Sequence, residues 1–154
     1  MRRVDRELSR DEAMRLLTEA KYGTLCLGMG PGGYPCAVPI NCAVVDDMLV
    51  FHGAKVGEKQ DVIARDGHAT FVAVLNYAPV RETYSAKYES VIVRGIVRGV
   101  EDDAERIRLL SAFTAKVLDV SEAEIRDDLM KMQAPTRVLA MSIDEVTGKR
   151  SPKA

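Results

Sequence analysis

Nine residues, Phe51 to Lys59 (FHGAKVGEK), carry a histidine, two glycines and two lysines off the end of an apolar run. That combination suits an anionic ligand. Glycines let backbone N–H groups approach phosphate oxygens with no Cβ in the way, and Lys55 and Lys59 supply positive charge. His52 brings acid–base capacity near neutral pH and is the candidate catalytic residue, able to orient a substrate or hand over a proton. The same stretch has a plainer reading: a strand end and surface turn, with His52 bonded to a backbone carbonyl and the lysines solvated.

Other groupings carry less chemistry. Gly28-Met29-Gly30-Pro31-Gly32-Gly33 is not a dinucleotide fingerprint, because prolines at 31 and 35 and an extended run follow where a helix would have to open. Asp46-Asp47 and Glu101-Asp102-Asp103 read as turn and helix-start acids, and Ser90 has no base partner evident in the sequence. Arg94 and Arg98 share one face of a strand and suit either an anion or a solvated exterior. Cys26, Cys36 and Cys42 form no C-x-x-C pair and leave an odd count, which argues against a disulfide framework and a structural zinc site; no metal is expected.

The elements that must position the lysine loop follow from periodicity. Ser9-Arg10-Asp11-Glu12 has the form of a capping box, with Ala13, Leu16, Leu17 and Ala20 along one helix face and Gly23 as its stop. Strands are expected over Thr24–Met29 and Tyr34–Val45, joined as a hairpin. Pro35 and Pro39 put part of the second at an edge or bulge. Met48–His52 is a third strand, a short helix over Glu58–Asp66 is stopped by Gly67, and Ala69–Tyr77 is a fourth strand. Ala78–Lys87 reads as a surface flap, and Tyr88–Val100 as a long strand with bends at Gly95 and Gly99.

A helix capped by Asp102 or Asp103 then presents Ile107, Leu110, Thr114 and Val117. A second helical stretch carries Ile125, Leu129 and Met132, and Pro135 precedes a last strand over Thr136–Ile143. The polar tail from Asp144, with Lys149-Arg150, either folds back toward the site or frays. Together these give an α+β fold around a small, mostly antiparallel barrel.

The chain has 154 residues, enough for one domain over residues 1–154 with a substantial core. Lys plus Arg total 22 against 23 Asp plus Glu, and there is no Trp, so neither nucleic acid nor an anionic membrane is the expected partner. With no apolar segment of membrane-spanning length and no h-region near the start, a soluble cytoplasmic protein is expected.

Four stretches taken together resemble the pyridoxamine 5'-phosphate oxidase-like split-barrel flavoproteins, and within them the 5-nitroimidazole reductase-like (nitroimidazole antibiotic resistance) branch. They are MRRVDRE (Met1–Glu7), VPIN (Val38–Asn41), FHGAKVGEKQD (Phe51–Asp61) and YSAKYESVIVRG (Tyr84–Gly95), with EVTGKR (Glu145–Arg150) near the end. The resemblance implies a six-stranded, mostly antiparallel split β-barrel with flanking helices, and a homodimer holding its cofactor at the subunit interface. That cofactor is FMN by first expectation, with haem, FAD or a deazaflavin as alternatives.

By the same resemblance Pro39, Ile40 and Asn41 lie along the flavin ring. Phe51, His52, Gly53, Ala54, Lys55 and Lys59 face the ribityl phosphate, and Tyr88, Glu89 and Ser90 contribute from a neighbouring strand. Gly53 stands where many relatives carry serine, so a backbone N–H would replace a hydroxyl there. The implied activity is flavin-dependent reduction of a small aromatic or heterocyclic molecule such as a 5-nitroimidazole, with NAD(P)H as a candidate donor. The alternative is a flavin- or haem-binding protein without turnover.

Overall fold

The structure is a computed structural model describing residues 3–123, 125 and 136–151. These residues form α1 (Arg10–Glu19), β1 (Tyr22–Met29), β2 (Pro35–Asn41), β3 (Ala43–Val45), β4 (Met48–Ala54), α2 (Glu58–Arg65), β5 (His68–Val80), β6 (Ser85–Gly99), α3 (Asp103–Leu118), β7 (Thr136–Ser142) and β8 (Glu145–Arg150). Every strand pairing is antiparallel, in the order β2-β1-β5-β6-β7-β4-β3, with β8 also on β6. Only Cys42 separates β2 from β3, and only Ile143 and Asp144 separate β7 from β8. Joined across those breaks, the eight segments are six strands closing a ring, the split barrel expected from the sequence.

The local causes are readable. Ser9 caps α1 by accepting from the Glu12 N–H, while the Glu12 carboxylate accepts from the Ser9 N–H, a complete capping box. Asp46 and Asp47 both have left-handed backbone, φ 48° and 59°, as a two-residue hairpin between Val45 and Met48 requires. Asp102 caps α3 by accepting from the Glu105 N–H at 2.8 Å.

The barrel interior is filled by Leu25, Phe51, Phe71, Val91, Val93, Leu139 and Met141, all fully buried, and α1 and α2 add Leu17 and Val62. Phe51 and Phe71 meet at 5.5 Å between ring centroids, so Phe71→Ala would cost about 3–5 kcal/mol. A second core lies outside the barrel, where Leu109 and Phe113 of α3 cover Val45, Val50, Val138 and Ala140. Strands β3, β4 and β7 are thus buried on both faces, which explains their continuous apolar runs; β6 alternates, with Val91, Val93 and Val97 inward and Ile92, Arg94 and Arg98 outward.

Several boundaries move. The first helix ends at Glu19 and the second at Arg65. Gly23 and Gly67 stop neither. A Cβ at Gly23 would run into the Phe71 ring, and one at Gly67 would lie 2.6 Å from the Val97 carbonyl oxygen. The flap over Ala78–Lys87 is the tip of the β5–β6 hairpin, and the tail is a paired strand, β8. The buried side of α3 is Leu109, Leu110, Ala112, Phe113 and Ala115, with Ile107 and Val117 at its margin. Ile125 is buried, while Leu129, Met132 and Pro135 lie outside the described residues. No helix of the described residues is long and apolar enough to cross a membrane.

Candidate functional site

Strand pairing between β3 and β4 runs Val45↔Met48, Val44↔Leu49, Ala43↔Val50. Continued, that register would set Asn41 opposite His52 and Pro39 opposite Ala54. It does not continue. Past Cys42 the chain turns away as β2 to pair with β1, while β4 goes on to Ala54 paired only with β7. Each strand therefore presents an unpaired edge to the other, and the cleft between them is where the barrel splits. Pro35 and Pro39 lie on that edge strand, as their missing N–H groups require.

The cleft gathers most of the residues singled out from the sequence. Pro39 and Asn41 are exposed on β2, while Ile40 points into the barrel core and offers the cleft only its backbone. On β4, His52 and Ala54 are exposed. Phe51, expected among the cofactor contacts, is fully buried against Phe71, so its ring holds the barrel together and only its main chain can face a ligand.

After Lys55 the chain enters α2 through Gly57, at φ 120°, a conformation glycine adopts without strain. No side chain caps this helix, so its first N–H groups and positive dipole end are directed outward beside the lysines. Lys59 reaches back over β4: a Cβ added at Gly53 would lie 2.6 Å from its Nζ. The glycine makes room for an amine. Burial lowers the Lys59 pKa, and the neighbouring Cys36 opposes the shift. A half-buried amine of this kind gains from an anionic partner.

His52 packs edge-on against Phe113 at 4.9 Å. Burial first, and the charge of Lys59 second, lower its pKa below the usual histidine value, so the imidazole is neutral at neutral pH with one donor and one acceptor nitrogen. On the other side of Lys59, Glu58 fills the space a Cβ at Gly30 would take and borders Cys36. Burial, then Glu58, raises the Cys36 thiol pKa, and burial pushes Cys42 up to about 12, so both are protonated packing groups. All three cysteines are free, and the described residues contain no cluster of three or more His, Cys, Asp or Glu that could hold a metal ion.

Tyr88 and Ser90 are not in this cleft. Tyr22 pairs with Asn41 and Val74 with Ser90, and the β1–β5 register Thr24↔Val72, continued by two residues, would align the two pairs across β2, β1, β5 and β6, so Ser90 is three strands from β2, about 15 Å. Tyr88 accepts from Arg6 Nη1 at 3.3 Å, and Glu89 holds Arg150 and Asn76, each at 2.5 Å. Sequence reasoning missed this Arg150–Glu89 pair, which fixes the tail; the basic pair before the C-terminus was its signal. Arg94 binds Glu145 at 2.8 Å and Arg98 binds Glu105 at 3.4 Å, both exposed, consistent with the solvated exterior.

A concavity of about 530 Å³ is an open groove on the outer sheet face, lined by residues including Cys26, His68, Thr70, Arg94 and Glu145. It lies away from the lysine loop.

No curated protein sequence matches the chain. Among solved structures, it is similar to the FAD and heme binding protein from Mycobacterium smegmatis, at 28% identity and TM-score 0.77, covering 94% of this chain and 72% of that one. It is also similar to a protein from Bacteroides thetaiotaomicron provisionally assigned to 5-nitroimidazole antibiotic resistance, at 21% identity and TM-score 0.75, covering 94% and 86%. A third is the flavocytochrome Anf3 from Azotobacter vinelandii, at 16% identity and TM-score 0.75, covering 99% and 72%. These likenesses agree with the barrel described above, and the family model for pyridoxamine 5'-phosphate oxidase matches residues 9–150. The chain belongs to the pyridoxamine 5'-phosphate oxidase family of split-barrel proteins.

Proposed function

We propose that the chain binds FMN in the β2–β4 cleft and acts as a homodimeric flavin-dependent reductase of a small aromatic or heterocyclic molecule, a 5-nitroimidazole being the type case, with NAD(P)H as donor. One observation carries this reading. Lys59 is drawn half-buried over Gly53 at the uncapped start of α2, directly beside two unpaired strand edges. That is a cradle for one terminal phosphate with a flat slot next to it. The donor set fits FMN: two lysines and helix N–H groups for the phosphate, and the edge backbone of Pro39–Asn41 for the ring.

When bound, flavin supplies the redox chemistry. The chain's own residues hold and orient it, and His52, neutral and beside the slot, is positioned to donate or accept a proton at its imidazole. In this reading Tyr88 and Ser90 serve the site of the other subunit, since β1 and β5 on one side and β7 on the other separate β6 from its own cleft. The outer sheet face bearing Tyr22, Val74, Ile92 and Ile96 is exposed in one chain and is the surface through which two chains pair.

The neutral state of His52 also suits an axial ligand, so a haem-binding protein without turnover is the second reading. The absorption spectrum of the purified protein, with added FMN and then with NADH or NADPH without oxygen, separates the two. A bound-flavin spectrum that bleaches with nicotinamide and recovers with a nitroimidazole supports the reductase; a Soret band overturns it in favour of haem.

A further inference from the structure

Glu58 and Lys59 are neighbours at the start of α2, yet they reach opposite sides of the β2–β4 cleft. The Lys59 amine fills the space a Cβ at Gly53 of β4 would need, and the Glu58 carboxylate fills the space a Cβ at Gly30 would need, at the base of the turn into β2. Gly30 has extended backbone, φ −84°, which any residue adopts, so what its missing side chain provides there is room for a carboxylate. Cys36, at the start of β2, borders both. Burial, then Glu58, raises the pKa of its thiol, and Lys59 opposes the rise.

The cleft also has a direction. The β3–β4 register, continued past Cys42, leads from Asn41 and His52 at the break out to Pro39 and Ala54. A flavin ring on the edge backbone of Pro39–Asn41, with its phosphate at Lys55, Lys59 and the first N–H groups of α2, therefore has the phosphate outermost. Any group attached beyond that phosphate has to leave toward the start of β2 and the turn at Gly30. Glu58 stands there, exposed and with no ion-pair partner among the described residues.

Resting on the flavin reading above, we propose that Glu58 sets the length of the cofactor: it admits a flavin that ends in one phosphate monoester and rejects one that continues into a second phosphate and a nucleoside. The phosphates of FMN and FAD carry nearly equal charge, about two at neutral pH. FMN concentrates that charge on the group at Lys59, whereas FAD carries half of it onward to Glu58. Lys55, Lys59 and the helix N–H groups hold a phosphate of either kind, so the discrimination falls to the carboxylate. Repulsion of the wrong partner is how two ligands with a shared half are told apart.

Fluorescence titrations of the full chain with riboflavin, FMN and FAD test this. The wild-type protein is expected to bind FMN about tenfold more tightly than FAD, and Glu58→Gln, which keeps the shape and removes the charge, to cut that ratio about fivefold. Riboflavin affinity, which a merely structural change would move, stays the same. Equal affinity of the wild-type protein for FMN and FAD, or a change by the same factor for both in Glu58→Gln, overturns the proposal. The substitution is at an exposed first helical position, so the variant folds.

If no flavin binds, the cofactor reading falls, and a second pair of probes decides on Glu58. Ribose 5-phosphate ends in a monoester; ADP-ribose continues into a second phosphate and adenosine. Each is titrated while the ¹⁵N–¹H signals of Gly57, Glu58 and Lys59 are followed. Ribose 5-phosphate acting at about tenfold lower concentration than ADP-ribose in the wild-type protein, and at a similar concentration in Glu58→Gln, leaves the selection standing without a flavin. Equal responses in the wild-type protein, or none to either sugar, overturn it.

Discussion

Two strands of this barrel are broken, and the breaks end differently. Between β7 and β8 the chain steps over Ile143 and Asp144, yet both halves stay on β6, and the Asp144 N–H reaches the Arg94 carbonyl at 3.0 Å. Between β2 and β3, at Cys42, the halves part to different partners, β1 and β4, and leave two bare edges. The first break is a packing solution, sealed by Gly95, where any Cβ would run into the Ser142 carbonyl. The second is left open and furnished with Lys59, His52 and a helix start. An interrupted strand is therefore not in itself a candidate site; it becomes one where backbone groups stay unpaired beside a partly buried charge.

The contrast predicts that stability and binding separate between the two breaks. Gly95→Val, at the sealed break, is expected to show the largest effect: about 3 kcal/mol lost to overpacking against backbone, or roughly 10 °C in thermal unfolding. A change under 2 °C would mean that the bulge relaxes freely and the two breaks are alike.

At the open break the order reverses. Lys59→Ala should leave the unfolding temperature unchanged or slightly raised, because it removes a half-buried amine, while FMN affinity falls about 10- to 100-fold, the worth of one charge-assisted hydrogen bond. Equal affinity by fluorescence titration would move the phosphate elsewhere. Gly53→Ser is milder. Its Cβ displaces Lys59 Nζ from 2.6 Å, but the new hydroxyl can itself donate to a phosphate, so a loss of about three- to tenfold is expected. No loss would show that the amine moves aside without consequence.

The sequence shows the open break better than the sealed one. Prolines at 35 and 39 announce an edge strand through their missing N–H groups, and the FHGAKVGEK stretch announces its chemistry by residue type. The sealed break is marked only by Gly95 as a bend in its strand; that this glycine acts through a carbonyl forty-seven residues away, no local pattern reveals. The same blindness made Gly23 and Gly67 look like helix stops, when each yields to a contact from a distant strand. Phe51 was legible only in part. The resemblance sets it among the cofactor contacts, while strand alternation sends its ring into the core and the histidine to the surface, leaving its main chain for the cleft. The tail stayed undecided between folding back and fraying because its partner, Glu89, lies sixty-one residues earlier.

The smallest expected effect is on His52, and its sign follows from the causes of its shift. Burial first, then Lys59, hold its folded pKa below the ordinary 6.5. Between those two values the unfolded chain takes up a proton that the folded chain refuses, so this group's contribution to stability is present above the ordinary value and is lost as pH falls through the window. Lys59→Ala removes only the second cause, so the imidazole should titrate somewhat higher, though still below 6.5, in an NMR titration of its ring protons. A bound phosphate opposes the field of Lys59, so FMN should raise the His52 pKa, while riboflavin, which lacks the phosphate, should raise it less. Equal shifts with the two flavins would place the phosphate away from Lys59, and the open break would then hold the ring without anchoring the anion.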